Sequence, residues 1–320
     1  MKKLLTIVVP VYNRVERLHG VLDALFVALQ RSAVVRLLLV DNGSTDGSLE
    51  ACEAFVRRCE EEAIDAHLLC EPKRGASAAR NTGLAATETE WVYFFDSDDL
   101  LSDNFCEQVV GWIDSYGSQL DMIAFPVLQE VNGRLQVKPH VATERPQAQI
   151  LLHGSLCTVS MAFRTAWLRR VGGWDERLTT WDDWELGVRA LLARPRLRWF
   201  TERAFHHVFV HSESQTGASF SQTLAPIITA MEVVLSDIEN AATTVEEVSV
   251  CRLALYYRSC IMSGKLVSEG SREGQSAFRQ FALLSLPSPS WRQRLMGKFL
   301  EAYTAHGGHG AWRIILRFLV

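Results

Sequence analysis

The sequence predicts an α/β protein on a mostly parallel sheet covered by helices on both faces, followed by a helical C-terminal region. Three observations carry this. Apolar β-branched runs alternate with helix-period segments over the first 125 or so residues. Polar clusters fall where those runs end, and from about residue 226 the texture is helical and amphipathic. Strands that alternate with helices imply parallel pairing, because a parallel crossover needs a helix-length connection.

Taken in order, "LLTIVVPVY" reads as the first strand, and "NRVERLHGVLDALFVAL" as a helix. Its apolar face is Leu18, Val21, Leu22, Leu25 and Leu29, and it is opened by Asn13 with Glu16 three residues on. The unit recurs as "VVRLLLVDNGS" then "LEACEAFVRRCEEEA", "AHLLCE" then "ASAARNTGLAAT", and "WVYFFD" then "NFCEQVVGWIDSY". Past residue 120, "LDMIAFPVLQEV-NG-RLQVKP" reads as a hairpin turned at Asn132-Gly133. The helical tail is interrupted by "LPSPS", and no repeat or low-complexity tract stands out.

The composition, 48 % hydrophobic and 22 % charged, excludes disordered and fibrous classes. "MKKLLTIVVPVYNR" reads as a strand rather than a signal peptide, since its apolar run is short, holds Pro10 and lacks a cleavage site. No stretch approaches the roughly 18 apolar residues of a membrane-spanning helix. Seven cysteines with no CxxC pair suit a reducing cytoplasm. Residues 241–320 hold ten Lys/Arg against five Asp/Glu; the preceding 240 hold 23 against 32. That acidic front does not suit a nucleic-acid partner.

Ligand sites in open α/β sheets lie beyond the carboxyl ends of the strands, so "PVYN", "DNGSTD" and "DSDD" should converge. Three carboxylates within four positions at a strand end exceed what one helix cap requires. Asp96 and Asp98 suit a divalent cation that bridges phosphate oxygens, which lets a chain that is not basic hold a diphosphate. Asp41 has two readings: it accepts hydrogen bonds from a base or ribose, or it closes an Asx turn before the next helix.

"TIVVPVYNR", "LLLVDNGSTDGS", "KRGASAARNTGL", "VYFFDSDDLL", "VGGWDERL" and "WDDWEL" occur in the order and spacing of the family 2 glycosyltransferases. The chain resembles that family over about residues 4–215. The resemblance implies a GT-A, Rossmann-like catalytic domain over 1–220 and a helical region over 221–320. It implies transfer with inversion of a sugar from a nucleotide-diphosphate donor, with a lean to UDP, using Mn²⁺ or Mg²⁺.

By position, Pro10 and Tyr12 would line the nucleobase pocket, Asp41 would meet the base, and Lys73 and Gly75 would lie on the loop before Arg80. Arg80 would orient the carboxylates or a phosphate. Asp96 would face the ribose or a metal-bound water, and Asp98 rather than Asp99 would bind the metal. The family's acidic pair maps to Asp182 and Asp183, with Asp183 as general base. Gly173, Trp174, Asp175, Trp181 and Asp182 would form the acceptor side, where tryptophans suit a sugar ring and also suit a core. Of His206, His207 and His211, His211 falls in the segment like the family's RxHxxSxS and would reach the metal or diphosphate, although the Arg of that segment is Phe209 or absent.

The implied acceptor is a glycan or lipid-linked hydroxyl of a surface polysaccharide. Between 287 and 320, five Lys/Arg, one Glu and Trp291, Phe299, Trp312 and Phe318 suit a helix lying on a membrane, an ordinary packed helix or a homodimer contact. Two other readings stand beside the transferase: a nucleotidyltransferase, for which the basic Gly-rich loop is missing, and a non-catalytic scaffold of the same fold.

Overall fold

A computed structural model describes residues 2–131, 134–137, 146–154, 156–201, 206–209 and 219–319. In chain order the first elements are β1 (Leu5–Val11), α1 (Val15–Gln30), β2 (Val35–Asp41), α2 (Ser48–Glu61), β3 (Ala66–Cys70), α3 (Ala76–Ala86), β4 (Trp91–Phe94), β5 (Leu100–Leu101), α4 (Phe105–Tyr116), β6 (Met122–Ala124), β7 (Leu128–Val131) and β8 (Arg134–Val137). After these come α5 (Pro146–His153), β9 (Met161–Arg164), α6 (Thr165–Arg170), α7 (Asp182–Leu192), β10 (Leu197–Trp199) and β11 (His206–Phe209). The chain ends with α8 (Leu224–Asn240), α9 (Val245–Ser268), α10 (Arg272–Ser285), α11 (Trp291–Ala305) and α12 (Ala311–Leu319).

Contacts divide the chain into two compact units. One comprises Met1–His140, Cys157–Thr179 and Pro195–Val210; the other comprises Val141–Leu156, Thr180–Arg194 and His211–Val320. The units therefore do not divide at residue 220. The segments holding α5 and α7 group with the C-terminal helices because their side chains anchor there. The Trp184 indole N–H donates to Ile150 O, and Arg258 on α9 donates to Leu152 O. A Cβ on Gly187 would press on Ile150 and Leu156.

The first unit is built on a seven-stranded sheet of order β10-β6-β9-β4-β1-β2-β3. β1 runs parallel to β2 and β4, β2 to β3 and β10 to β6, while β9 is antiparallel to both its neighbours. Every β1 residue except Pro10 is buried, as expected of a strand covered on both faces. The helix-period positions Leu18, Val21, Leu22, Leu25 and Leu29 are all buried on α1. α3 crosses β1 so closely that a Cβ on Gly83 would overlap the Val8 side chain.

Register aligns Val11 with Asp41 and Asp41 with Cys70, while Phe95 N–H donates to Val8 O. The loops after β1, β2 and β4 therefore leave the same edge. A second sheet has the order β5-β11-β7-β8, and β7 pairs antiparallel with β8 with Val131 opposite Arg134. The Asn132-Gly133 turn lies outside the described residues. β6, read as part of that hairpin, belongs to the main sheet.

The expected capping role of Asn13 is corrected. α1 begins at Val15, and the residue in its N-cap position is Arg14, whose side chain makes no cap hydrogen bond. Asn13 stands at φ +48°, a left-handed conformation that Asn tolerates, and its side chain turns to the neighbouring loop.

The second unit is helical. α9 is its centre, packed by α5, α8, α10, α11 and α12, with α7 against α5 and α8. α9, α10 and α11 open on the hydroxyl caps Thr244, Ser271 and Ser290.

Candidate active site

In the first unit, three loops at the carboxyl edge of the sheet bind one another. Asn13 Oδ1 accepts from Thr45 N–H at 2.8 Å, and Asn13 N–H donates to Ser44 Oγ at 3.2 Å. Arg14 N–H donates to Ser48 Oγ and Val15 N–H to Asp46 Oδ2. The start of α1 is thus capped from the β2 loop.

Asp41 is 3 % exposed and accepts from Gly43 N–H at 3.0 Å and Ser44 N–H at 3.1 Å. These bonds are those of the Asx-turn reading. Sequence reasoning missed the role of Asn42, which is also buried. Its amide donates to Glu71 O and Lys73 O and accepts from Gly75 N–H. One side chain so ties the β2 loop to the β3–α3 loop. Gly75, at φ +134°, opens α3 in a conformation that side-chain-bearing residues rarely adopt.

Arg74, also missed, donates to Asn42 O and sets its guanidinium 3.4 Å from the centre of the Tyr12 ring. Tyr12 is 42 % exposed beyond the end of β1, where Pro10 is half-buried. The pair makes a flat cationic and aromatic surface at the strand edge.

The carboxylates after β4 have three different partners. Asp96 Oδ1 accepts from Arg80 Nη2 at 2.7 Å. Arg80 is buried on α3 and lies 4.4 Å from the Trp174 ring. Burial pushes the Asp96 carboxyl up to about 6, with Asp99 and Asp98 adding and Arg80 opposing. Asp98 pairs with Arg14 of the β1 loop at 3.3 Å.

Asp99 is buried, with Oδ2 2.9 Å from His206 Nε2; His206 Nδ1 lies 2.9 Å from the Tyr93 hydroxyl, which donates to Val159 O. Burial pushes His206 down to about 3, which favours a neutral ring. Asp99 is therefore held inward, and His206 has a structural post that only the fold reveals.

The segment 173–176 is stitched to α3 by Asn81, whose amide donates to Trp174 O and Glu176 Oε1 and accepts from Trp174 N–H. Gly173 stands at φ +64°, and a Cβ there would lie 2.8 Å from Asn81 Oδ1. Lys73 pairs with Glu176, and Asp175 with Arg177. Of the two readings of Trp174, sugar ring or core, its burial matches the core. The residue is 2 % exposed, edge-on to Phe94 and behind Arg80, so its ring is core and a backing for that guanidinium.

In the second unit, Trp181 precedes α7 at φ +57°, an unusual conformation for a bulky residue. It is half-buried, edge-on to Trp184 and Phe220. Asp182 is buried; Asp183 is half-buried and its Oδ1 accepts from Trp184 N–H at 2.7 Å. Glu185 is fully buried in a forked pair with Arg189 one turn on. Arg258 packs its guanidinium 4.6 Å from the Trp181 ring, and its burial pushes it down to about 10. His211 lies outside the described residues.

For a cation, Asp96 and Asp98 form a hard oxygen pair that suits Mg²⁺ or Mn²⁺ when phosphate oxygens complete the shell. Among the described residues no group of three or more His, Cys, Asp or Glu side chains stands close enough to hold a metal alone.

The family model described as "Glycosyl transferase family 2" matches residues 6–172, just over half the chain. The chain belongs to glycosyl transferase family 2. The match spans the loops after β1, β2 and β4 and ends before Asp182 and Asp183.

Among family 2 relatives, Glycosyltransferase GlyG of Streptococcus pneumoniae is 34 % identical over 107 residues, 33 % of this chain and 34 % of that protein. The pre-mycofactocin glycosyltransferase of Mycobacterium tuberculosis is 29 % identical over 212 residues, 61 % of this chain and 40 % of that protein. The chain thus spans well under half the length of these curated relatives. Among solved structures, S. aureus TarS 1–349 in complex with UDP-GlcNAc superposes with a TM-score of 0.70 at 17 % identity, covering 97 % of this chain and 93 % of that one. A mannosyltransferase of Pyrobaculum calidifontis in complex with GDP-Man and Mn²⁺ gives a TM-score of 0.54 at 15 % identity, covering 98 % and 87 %. At such identities the likeness concerns the fold, which is GT-A with a helical C-terminal region.

Proposed function

We propose that the chain is an inverting glycosyltransferase that moves a sugar from a nucleotide-diphosphate donor, a UDP-sugar first among candidates, to a hydroxyl of a glycan or lipid-linked acceptor in cytoplasmic assembly of a surface polysaccharide. The observation that carries this is the strand-edge cluster: Asp96 held by Arg80, Asp98 by Arg14, and Tyr12 with Arg74 beside the buried Asp41 and Asn42. Family membership and the TarS likeness with UDP-GlcNAc support the donor class.

In this reading residues 1–220 carry catalysis and 221–320 a helical extension. Tyr12 and Pro10 receive the base, and Asp41 shapes the loop beneath it. Lys73 and Gly75 border the donor. Asp96 and Asp98 would hold Mg²⁺ or Mn²⁺, which when bound would supply Lewis-acid stabilisation of a diphosphate leaving group. Arg80 keeps Asp96 oriented. Asp183 takes the proton of the attacking hydroxyl, a role typically worth about 10² to 10⁴-fold. Gly173, Asp175, Trp181 and Asp182 shape the acceptor side, and His211 joins the diphosphate.

The test is a thermal-shift panel of UDP-, GDP-, dTDP- and CMP-sugars, each with and without Mn²⁺. At about 100 times its dissociation constant a donor adds roughly 2.7 kcal/mol. A shift for one nucleotide that needs the metal and disappears in Asp98→Ala supports the reading. Silence across the panel favours a scaffold member of the fold, and silence there with a shift in a parallel set of nucleoside triphosphates favours a nucleotidyltransferase.

A further inference from the structure

The inner face of α11 is settled: Gly297, Leu300 and Thr304 are buried, and the helix packs on α9. Its outer face is unusual. Trp291, Leu295 and Phe299, spaced four residues apart, are 66 %, 63 % and 49 % exposed. That spacing puts them in one stripe along the helix. Arg292 flanks it on one side, Arg294 and Lys298 on the other, all exposed and none in an ion pair among the described residues. Glu301, the acid of this helix, turns inward to Ser263, Gln275 and Arg279. Leu283 and Leu284, shortly before α11, are also more than half exposed.

Three large side chains left in water on one face mark a contact surface. We infer that the outer face of α11 docks on an anionic lipid bilayer, with Trp291, Leu295 and Phe299 entering the headgroup boundary and Arg292, Arg294 and Lys298 meeting lipid phosphates. The charge pattern selects this occupant. An isologous contact with a second copy would set the same three cations against themselves with no acid to offset them, whereas an acidic surface complements them. No described helix is long and apolar enough to cross a membrane, so the contact is interfacial. The inference does not rest on the proposed reaction.

The experiment is sedimentation of the full chain with vesicles of phosphatidylglycerol and phosphatidylcholine against vesicles of phosphatidylcholine alone, at low and high salt. Preferential, salt-sensitive binding to the anionic vesicles is expected. The triple variant R292Q/R294Q/K298Q should lose affinity by roughly fivefold per cation removed. The double variant W291S/F299S should lose most binding at any salt while circular dichroism melting stays unchanged, since both rings stand outside the core. No binding to anionic vesicles, or equal binding to both kinds, overturns the inference. So does a dimer in light scattering that the double variant dissolves, which would assign the face to a second copy.

Discussion

At the scale of single residues, the loops at the carboxyl edge of the sheet are held by a few buried polar groups. Asp96 titrates near 6 in the folded chain and near 3.9 when unfolded, so over that interval the folded chain keeps a proton that the unfolded chain has lost. Folded-state proton excess means stability falls as pH rises. In metal-free protein the fall from pH 4 to pH 6.5 should be about 1–2 kcal/mol larger in the wild type than in Asp96→Asn, discounted because part of the side chain meets solvent. Urea unfolding at the two pH values measures it; equal slopes would deny that Asp96 is shifted. Asn42→Ala should cost about 1–3 kcal/mol, since three partly buried hydrogen bonds lose their partner, and should weaken nucleotide binding with it.

At the scale of elements, the seat of α3 on β1 fixes Arg80 under Asp96. Gly83→Ala forces a methyl into Val8 and should destabilise by about 1–3 kcal/mol, read from the denaturant midpoint. A neutral midpoint would mean that α3 slides freely on the sheet. The same contact gives a physical ground for the link between Arg80 and the carboxylates that the family resemblance implies: a helical Arg is usually on the surface, and here burial against Trp174 sets it on Asp96. Strand and helix existence was legible because each had its own period. The start of α1 was not, since Asn13 had a better partner in a loop 31 residues away.

At the scale of the whole molecule, the carboxylates and the proposed base belong to different compact units: Asp96 and Asp98 to the sheet unit, Asp183 to the helical one. Asp183→Asn should therefore abolish transfer while the donor shift in melting temperature stays intact, and Asp98→Ala should remove both. Loss of donor binding in Asp183→Asn would count against its role as base. The interleaving also predicts that truncation at residue 220 leaves α7 without α8 and α5 without α9, so the truncated chain should show a lower, broader melt for that unit than the full chain.

The sequence by itself determined the alternation of strands and helices, the sheet edge where polar clusters gather, and the family, because these rest on local periodicity and on short motifs whose residues are contiguous. Tertiary structure alone decided which polar group meets which. It turned Asp99 inward to His206, put Arg14 on Asp98, buried Trp174 and moved α5 and α7 into the helical unit. Those outcomes depend on burial and on contacts between residues far apart in the chain, and no local period carries that information.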